Sequence, residues 1–367
     1  MNKLRDYIKL VGFSFAAILI FAVIVFLVFW IMINKLNPPF SATLLPAGTS
    51  GVGPNSGGLT STLTKAQLTP SMSVPSQNSP AGIPPQTSPA GSPQTQSWKQ
   101  GMMVYLARLP SGFNAMYMLS LETGSVPRLL LQPTTNQHYY GPWLSPDSSR
   151  LVFYDINGSD GIMDLQTLSI KPFDACNSPT WSPDGNQIIC GEAGHFRILD
   201  AATGAFIRTL EAGGNGWLPV FSPDGTQVVF AVFGNGNSTS IWRIAAVGGQ
   251  ALALASEASE NYCPTWSPDG NWIAYQSSVV NGGSEIWIMD QNGGNKRQIT
   301  STPGGWSRGP VWSPDGKWLA YVSTPSASTG VEYGEINVIS LDTGEIHQVT
   351  DTGGGIDNWR VTWGPAK

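Results

Sequence analysis

The feature that most constrains this chain is a phrase it repeats. The sequence reads WLSPDSSRLVFYD from Trp143, WSPDGNQIICGE from Trp181, FSPDGTQVVFAV from Phe221, WSPDGNWIAYQS from Trp266 and WSPDGKWLAYVS from Trp312. The anchors Leu144, Trp181, Phe221, Trp266 and Trp312 lie 37, 40, 45 and 46 residues apart, the period of four-stranded propeller blades. Each copy reads as a strand ending in a large apolar residue, a Ser-Pro-Asp-Gly turn, and a second apolar strand. Proline presets φ at the second turn position, Asp tolerates the bridge region, and Gly takes the left-handed position behind it.

A second marker follows each turn in register. Glu122-Thr-Gly124, Thr203-Gly204, Gly248-Gly249, Asn292-Gly-Gly294 and Asp342-Thr-Gly344 are hairpin signals between a third and a fourth strand. Each repeat therefore supplies four strands, and a lone blade cannot bury both faces, so blades must stack around an axis. Gly101–Leu131 supplies only later strands, whereas VTWGPAK at 361–367 matches PTWSPDG up to the turn. The last strand is expected to complete the first blade and so remove the exposed sheet edges. The predicted fold is all-β: a six-bladed β-propeller over residues 101–367, closed between its N- and C-terminal strands.

Ahead of the repeats the composition changes twice. Leu10 to Ile33 is free of charge, and its 24 residues make ~36 Å of helix against ~30 Å of bilayer hydrocarbon. The run is too long for a cleavable signal peptide and no A-x-A site follows it, so residues 10–33 read as an uncleaved transmembrane signal anchor. Lys3, Arg5 and Lys9 precede it and Lys35 alone follows closely. This bias places residues 1–9 in the cytoplasm as a stub and the propeller outside, in a periplasm or at a cell surface. Residues 37–100 hold 11 prolines and two charges, Lys65 and Lys99. Such a stretch cannot bury enough apolar area to offset its ordering entropy, so residues 34–100 are read as a disordered linker.

The five SPDG copies resemble the C-terminal propeller of the TolB-like family, whose signature is a Trp-Ser-Pro-Asp-Gly strand turn. The resemblance covers residues 101–367 and implies the propeller fold. TolB also carries an N-terminal α/β domain, where this chain has the apolar run and linker. The resemblance implies a protein-interaction platform; elsewhere in the family the propeller gates peptidase domains.

Signals for catalysis are weak. Gly305-Trp-Ser307-Arg-Gly309 fits G-x-S-x-G, but it lies in a loop feeding a strand, and only His347 follows. The turn aspartates Asp147, Asp184, Asp224, Asp269 and Asp315 occupy equivalent turns of separate blades, which marks them as structural. His138, His195 and His347 fall on different blades without ligand spacing. Asp155, Asn157, Ser159 and Asp160 make an oxygen-rich loop, but Gly is misplaced for an EF-hand. No metal or other cofactor is expected. Cys176 and Cys190 share a blade and could pair, although the hairpin register does not set them opposite each other. Of the 24 acidic residues only Asp6 precedes residue 101, against six of the 19 basic ones, which leaves the propeller at net −10. That charge disfavours nucleic acid and anionic lipid as partners of the domain.

The leading expectation is a non-catalytic propeller, tethered through residues 10–33, that binds a protein or a cell-wall glycan. The rival is a propeller glycosidase or lyase, with Glu260 and Asp357 as the nearest pair of candidate acids; a structural spacer is a third. Four residues before each anchor stand Tyr140, Asn177, Trp217, Tyr262, Arg308 and Trp359. One such residue per blade, on the face opposite the SPDG turns, would ring the channel mouth. Aromatics and Arg are the types that dominate binding hot spots. These six are the candidate ligand-binding residues, with loops 233–240, 277–284 and 323–334 as their outer wall.

Overall fold

Alternating apolar and polar residues between Gly- and Pro-rich turns commit the repeats to strands, and the computed structural model has 24 of them among the described residues. It describes residues 98–365 apart from 110, 134–137, 156–159, 175, 193, 214, 235–237, 257–259, 279–281, 325–332 and 353–356. The apolar run 10–33 and the linker up to residue 97 lie outside the described residues, as do the side chains of Asp357 and Trp359. No helix among the described residues is long and apolar enough to cross a membrane.

The first sheet holds β1 (Met102–Arg108), β2 (Asn114–Ser120) and β3 (Arg128–Leu131). The second holds β4 (Tyr139–Leu144), β5 (Arg150–Asp155), β6 (Gly161–Asp164) and β7 (Ile170–Pro172). The third is β8 (Asn177–Trp181), β9 (Gln187–Glu192), β10 (His195–Asp200) and β11 (Phe206–Glu211). The fourth is β12 (Gly216–Phe221), β13 (Gln227–Phe233), β14 (Thr239–Ala245) and β15 (Leu252–Ala255). One further sheet joins β16 (Asn261–Trp266), β17 (Trp272–Ser278), β18 (Ser284–Asp290) and β19 (Arg297–Gln298) to β20 (Trp306–Trp312), β21 (Trp318–Thr324), β22 (Glu335–Ser340) and β23 (Ile346–Gln348). The last strand, β24 (Asp357–Gly364), pairs antiparallel with β1 from Met102↔Gly364 to Arg108↔Asp357, so the two ends of the propeller share one sheet.

The sheets are thus four free-standing blades of four strands and one sheet of eight, rather than the six separate blades expected. The cause is local. A short PGG turn brings the start of β20 against the start of β18, where Ser284 pairs in parallel with Trp306 and donates its hydroxyl to the Ser307 carbonyl at 3.0 Å.

Packing is continuous around the axis. Val104 and Leu106 meet Phe153 and Met163 between the first and second sheets. Val152 then meets Ile188, and Phe196 meets Phe230 edge-on at 5.1 Å. Ala231 packs with Ile273, and Ile288 with Leu319. Val338 closes the circle on Met103 and Val361. All of these residues are buried, and at ~0.8 kcal/mol per buried CH₂ such interfaces dominate the stability.

The SPDG turns carry their own hydrogen bonds. In the turn of β16–β17, Ser267 donates its hydroxyl to Asp269 at 2.5 Å, Asp269 accepts the Asn271 amide at 3.0 Å, and Ser267 Oγ accepts the Trp272 amide at 2.9 Å. The other four turns repeat this, with Ser-to-Asp distances of 2.5–2.6 Å. In the first, the Ser145 and Ser149 hydroxyls hold the Asp147 carboxyl down to about 2. These aspartates are structural. Four turns place Gly at the left-handed position, with φ of 70–72°, whereas the first places Ser148 there at 55°. Ser148 is buried, and its hydroxyl has no partner among the described residues. Left-handed backbone costs a non-Gly residue roughly 1–2 kcal/mol, which exceeds the entropic cost of Gly. Ser148→Gly is therefore expected to raise unfolding stability by about 1 kcal/mol, read as a higher urea midpoint. An unchanged or lower midpoint contradicts this account.

Candidate functional site

Residues of β4, β8, β12, β16, β20 and β24 line the axial cavity. Five of these strands slip register by one residue, between Tyr140 and Trp143, Asn177 and Thr180, Trp217 and Val220, Tyr262 and Thr265, and Arg308 and Val311. At each slip one residue turns left-handed: Gly141, Ser178, Leu218, Cys263 and Gly309, with φ of 51–59°. A proline follows each of them, lacks an amide to give the ladder, and so fits a bulged edge. β24 departs from this pattern. Its slip falls between Asn358 and Arg360, and Arg360 occupies the place that the other strands give to Gly, Ser, Leu or Cys.

The bulges narrow the channel. On the SPDG side lies a cavity of about 520 Å³, walled by the anchor residues and by Pro146, Pro183, Pro223, Pro268, Pro314 and Pro365. No acid, base or histidine lines it. Beyond it, sharing Trp143, Thr180, Val220 and Val311 as walls, comes a neck of about 10 Å³, room for roughly one water. Leu218, Cys263, Gly309 and Arg360 form the neck. Arg360 Nη1 lies 3.6 Å from Cys263 Sγ, two axial strands away, because Gly309 on the strand between them leaves open space. Arg360 is the one charged residue among those lining either stretch. Its charge also reaches Tyr154, where it opposes the upward push that burial gives the phenol.

The residues read from the sequence as a ring are distributed unevenly. Tyr140 is half-buried and stacks on Tyr154 with centroids 5.5 Å apart. Trp217 stacks on Phe233 at 5.4 Å, and Phe233 meets Tyr262 edge-on at 6.4 Å across to the next blade. These three form one ledge, with Phe233 45% exposed. Arg308 donates Nη2 to Thr324 Oγ1 at 2.8 Å, while its buried Nε has no partner among the described residues. Asn177 is exposed, and the Trp359 side chain lies outside the described residues. Tyr140 and Trp217 lean on strands of their own blade, and Tyr262 on Phe233 of the blade before it, at the end of the channel opposite the large cavity.

The other candidates have structural settings. Ser307 is fully buried inside β20, its hydroxyl 2.8 Å from that of Thr302, which is no strand-to-helix elbow. Glu260 is half-buried, with its carboxylate 3.4 Å from the Ser278 hydroxyl, and does not line the channel; the side chain of Asp357 is not described. His195 and His347 each sit beside a glutamate of their own blade, at 3.2 and 3.0 Å. Among the described residues no group of three or more His, Cys, Asp or Glu could hold a metal ion. Asp160 accepts the Asp155 amide at 2.8 Å and the Cys176 amide at 2.7 Å, which makes it a brace. Cys176 and Cys190 form a disulfide with Cα atoms 5.7 Å apart.

Sequence reasoning overlooked Glu285 and Glu335. Glu285 takes the Thr300 hydroxyl and Thr302 amide, and Glu335 takes the Thr350 hydroxyl, the Thr352 amide and the Asn358 side chain. The signal was the repeated T-x-T spacing after each acid, in RQITST and HQVTDT. Arg360 was also overlooked, although alignment on the anchors sets it against five uncharged residues.

The TolB beta propeller domain family (PD40) matches residues 174–365. Among solved structures, TolB from Acinetobacter baumannii is similar with a TM-score of 0.61 and 20% identity over 72% of this chain and 67% of its own. A putative TolB from Agrobacterium tumefaciens has a TM-score of 0.56 and 19% identity over 73% of this chain and 99% of its own. A chain of a Nidogen/Laminin complex has a TM-score of 0.55 and 12% identity over 73% and 100%. At these identities the likeness is one of fold. No curated protein matches the chain.

Proposed function

Because the chain belongs to the TolB beta propeller domain family, we propose that it is a non-catalytic binding module, tethered to a membrane through residues 10–33 and presenting its propeller to a protein partner outside the cytoplasm. The observation that carries this reading is the chemistry of the channel. Acid–base catalysis needs titratable groups positioned on a reacting atom, and the walls of cavity and neck offer one arginine and neither a carboxylate nor a histidine. What they do offer is apolar and aromatic surface, joined at the opposite mouth by the Trp217–Phe233–Tyr262 ledge. The Cys176–Cys190 bond supports the location, since disulfides persist in oxidising compartments. A chain of similar fold stands in a Nidogen/Laminin complex, an assembly of proteins. We also count the eight-stranded sheet as two blades. Its halves share the single ladder pair Ser284↔Trp306, and the apolar clusters between neighbouring groups of four strands number six among the described residues.

A photo-reactive residue in place of Phe233, in the full chain in its own cells, tests the reading. The expected result is a discrete cross-linked protein, lost in a Trp217→Ala, Tyr262→Ala variant whose melting temperature is unchanged. Sustained turnover of neutral or acidic polysaccharides by the purified chain, with no cross-link, would establish the glycosidase or lyase alternative instead.

A further inference from the structure

Arg360 is an unusual occupant of the neck. Arginine is almost never taken from water without a carboxylate or phosphate partner. Here the guanidinium of the half-buried Arg360 lines the most constricted part of the channel, and among the described residues its hydrogen-bond contact is a thiol, a weak acceptor. Arg308 stands on the neighbouring axial strand, one position nearer the aromatic mouth, with a buried Nε that no described group satisfies. Two guanidiniums without a carboxylate partner among the described residues therefore stand on adjacent axial strands, in a segment of net charge −10.

From this geometry we infer that Arg360, assisted by Arg308, is the receptor for a carboxylate that a ligand delivers through the aromatic mouth, and that this is the C-terminal carboxylate of a partner protein. The inference rests on the protein-binding reading above. The neck is too narrow to be threaded, so the anionic group must stand at the end of whatever enters. A chain terminus meets that condition, and the planar fork of Arg matches a carboxylate bidentately. The ledge of Trp217, Phe233 and Tyr262 would pack the apolar side chain next to the terminus.

The test uses the full chain in detergent and two probes, N-acetyl-Ala-Ala-Phe with a free carboxylate and the same peptide as its amide, read by tryptophan fluorescence and by the Arg Nε–H resonances. The acid is expected to bind saturably and to shift the Arg360 signal, and the amide to bind about tenfold more weakly or worse. Arg360→Met should erase the difference between the probes, and Arg360→Lys should keep part of it. Comparison of the two probes on the unaltered chain holds even where a variant fails to fold. Equal binding of acid and amide, or binding of neither, overturns the inference. So does binding of glucuronate with no binding of the peptide acid, which would assign the arginine to a sugar acid. A Phe233 cross-link that persists when acid and amide bind alike would leave the protein-binding reading standing and remove this one alone.

Discussion

Removal of residues 357–367 is expected to abolish cooperative unfolding of the propeller. These residues contain β24, which pairs with β1 from Met102↔Gly364 to Arg108↔Asp357 and is the innermost member of its sheet. The strand buries Val361 at 3% and Trp363 at 7% exposure in the cluster that joins β1 and β2 to β21 and β22. Trp363 also donates its indole N–H to the Gln100 carbonyl at 3.2 Å, and Thr362 Oγ1 accepts the Leu144 amide at 3.3 Å. Asn358, fully buried, reaches the Thr350 hydroxyl and the Glu335 carboxylate at 3.1 Å. Truncating a buried Trp alone costs ~3–5 kcal/mol, and losing a whole strand compares with the ~5–15 kcal/mol of an ordinary domain. The deletion also uncovers an edge on β1 and another face of the ring. The expected observation is loss of the calorimetric peak and of the near-ultraviolet tryptophan signal. Trp363→Ala serves as the graded case, with a lowered but still cooperative transition. A truncated chain that melts like the parent would show that β24 is not part of the closed ring.

The propeller was legible because its information is local and repeated. A Ser-Pro-Asp-Gly turn needs only its own residues to form, and five copies at a blade's spacing leave few other folds. The pairing of the last strand with the first was readable for the same reason, since VTWG lacks a turn and Gly101–Leu131 lacks the strand before it. The merging of two four-stranded groups was not readable. It depends on how far the PGG turn before Trp306 swings β20 toward Ser284, a three-dimensional matter that no period expresses. The site was half legible. Counting back four residues from the anchors found Trp217 and Tyr262, which share the ledge, but not Phe233, which joins them from the far end of β13. The bulges explain the limit. A register slip about three residues before five of the anchors, and just before Arg360 in β24, changes which side chains face the axis, so Arg360 reaches the neck from a position that strict alternation turns elsewhere.

The second large effect concerns the cysteine pair. Sequence left Cys176 and Cys190 open because the ladder sets Asn177 against Gly191 and so denies the two cysteines a facing position. Cys176, however, precedes β8 by one residue, where no ladder bond fixes it. Its amide is tied to Asp160 at 2.7 Å, and both sulfurs are buried beside Trp181 and Ile188. The bond spans a sequence separation of 14. Closing a loop of about that size is worth ~3 kcal/mol, chiefly by restricting the unfolded chain. For a domain of this length that converts to a fall of ~6–12 °C in melting temperature. Reduction, or the Cys176→Ala, Cys190→Ala pair, should produce this fall and leave the folded spectrum unchanged. Cys263 provides the internal reference, being free and half-exposed. Protein quenched in acid straight from cells and then denatured should take up one equivalent of a thiol reagent, and three after reduction. Three equivalents without reduction, or a melting temperature indifferent to reductant, would mean that the pair is open in the cell, and the support it lends to an oxidising location would go with it.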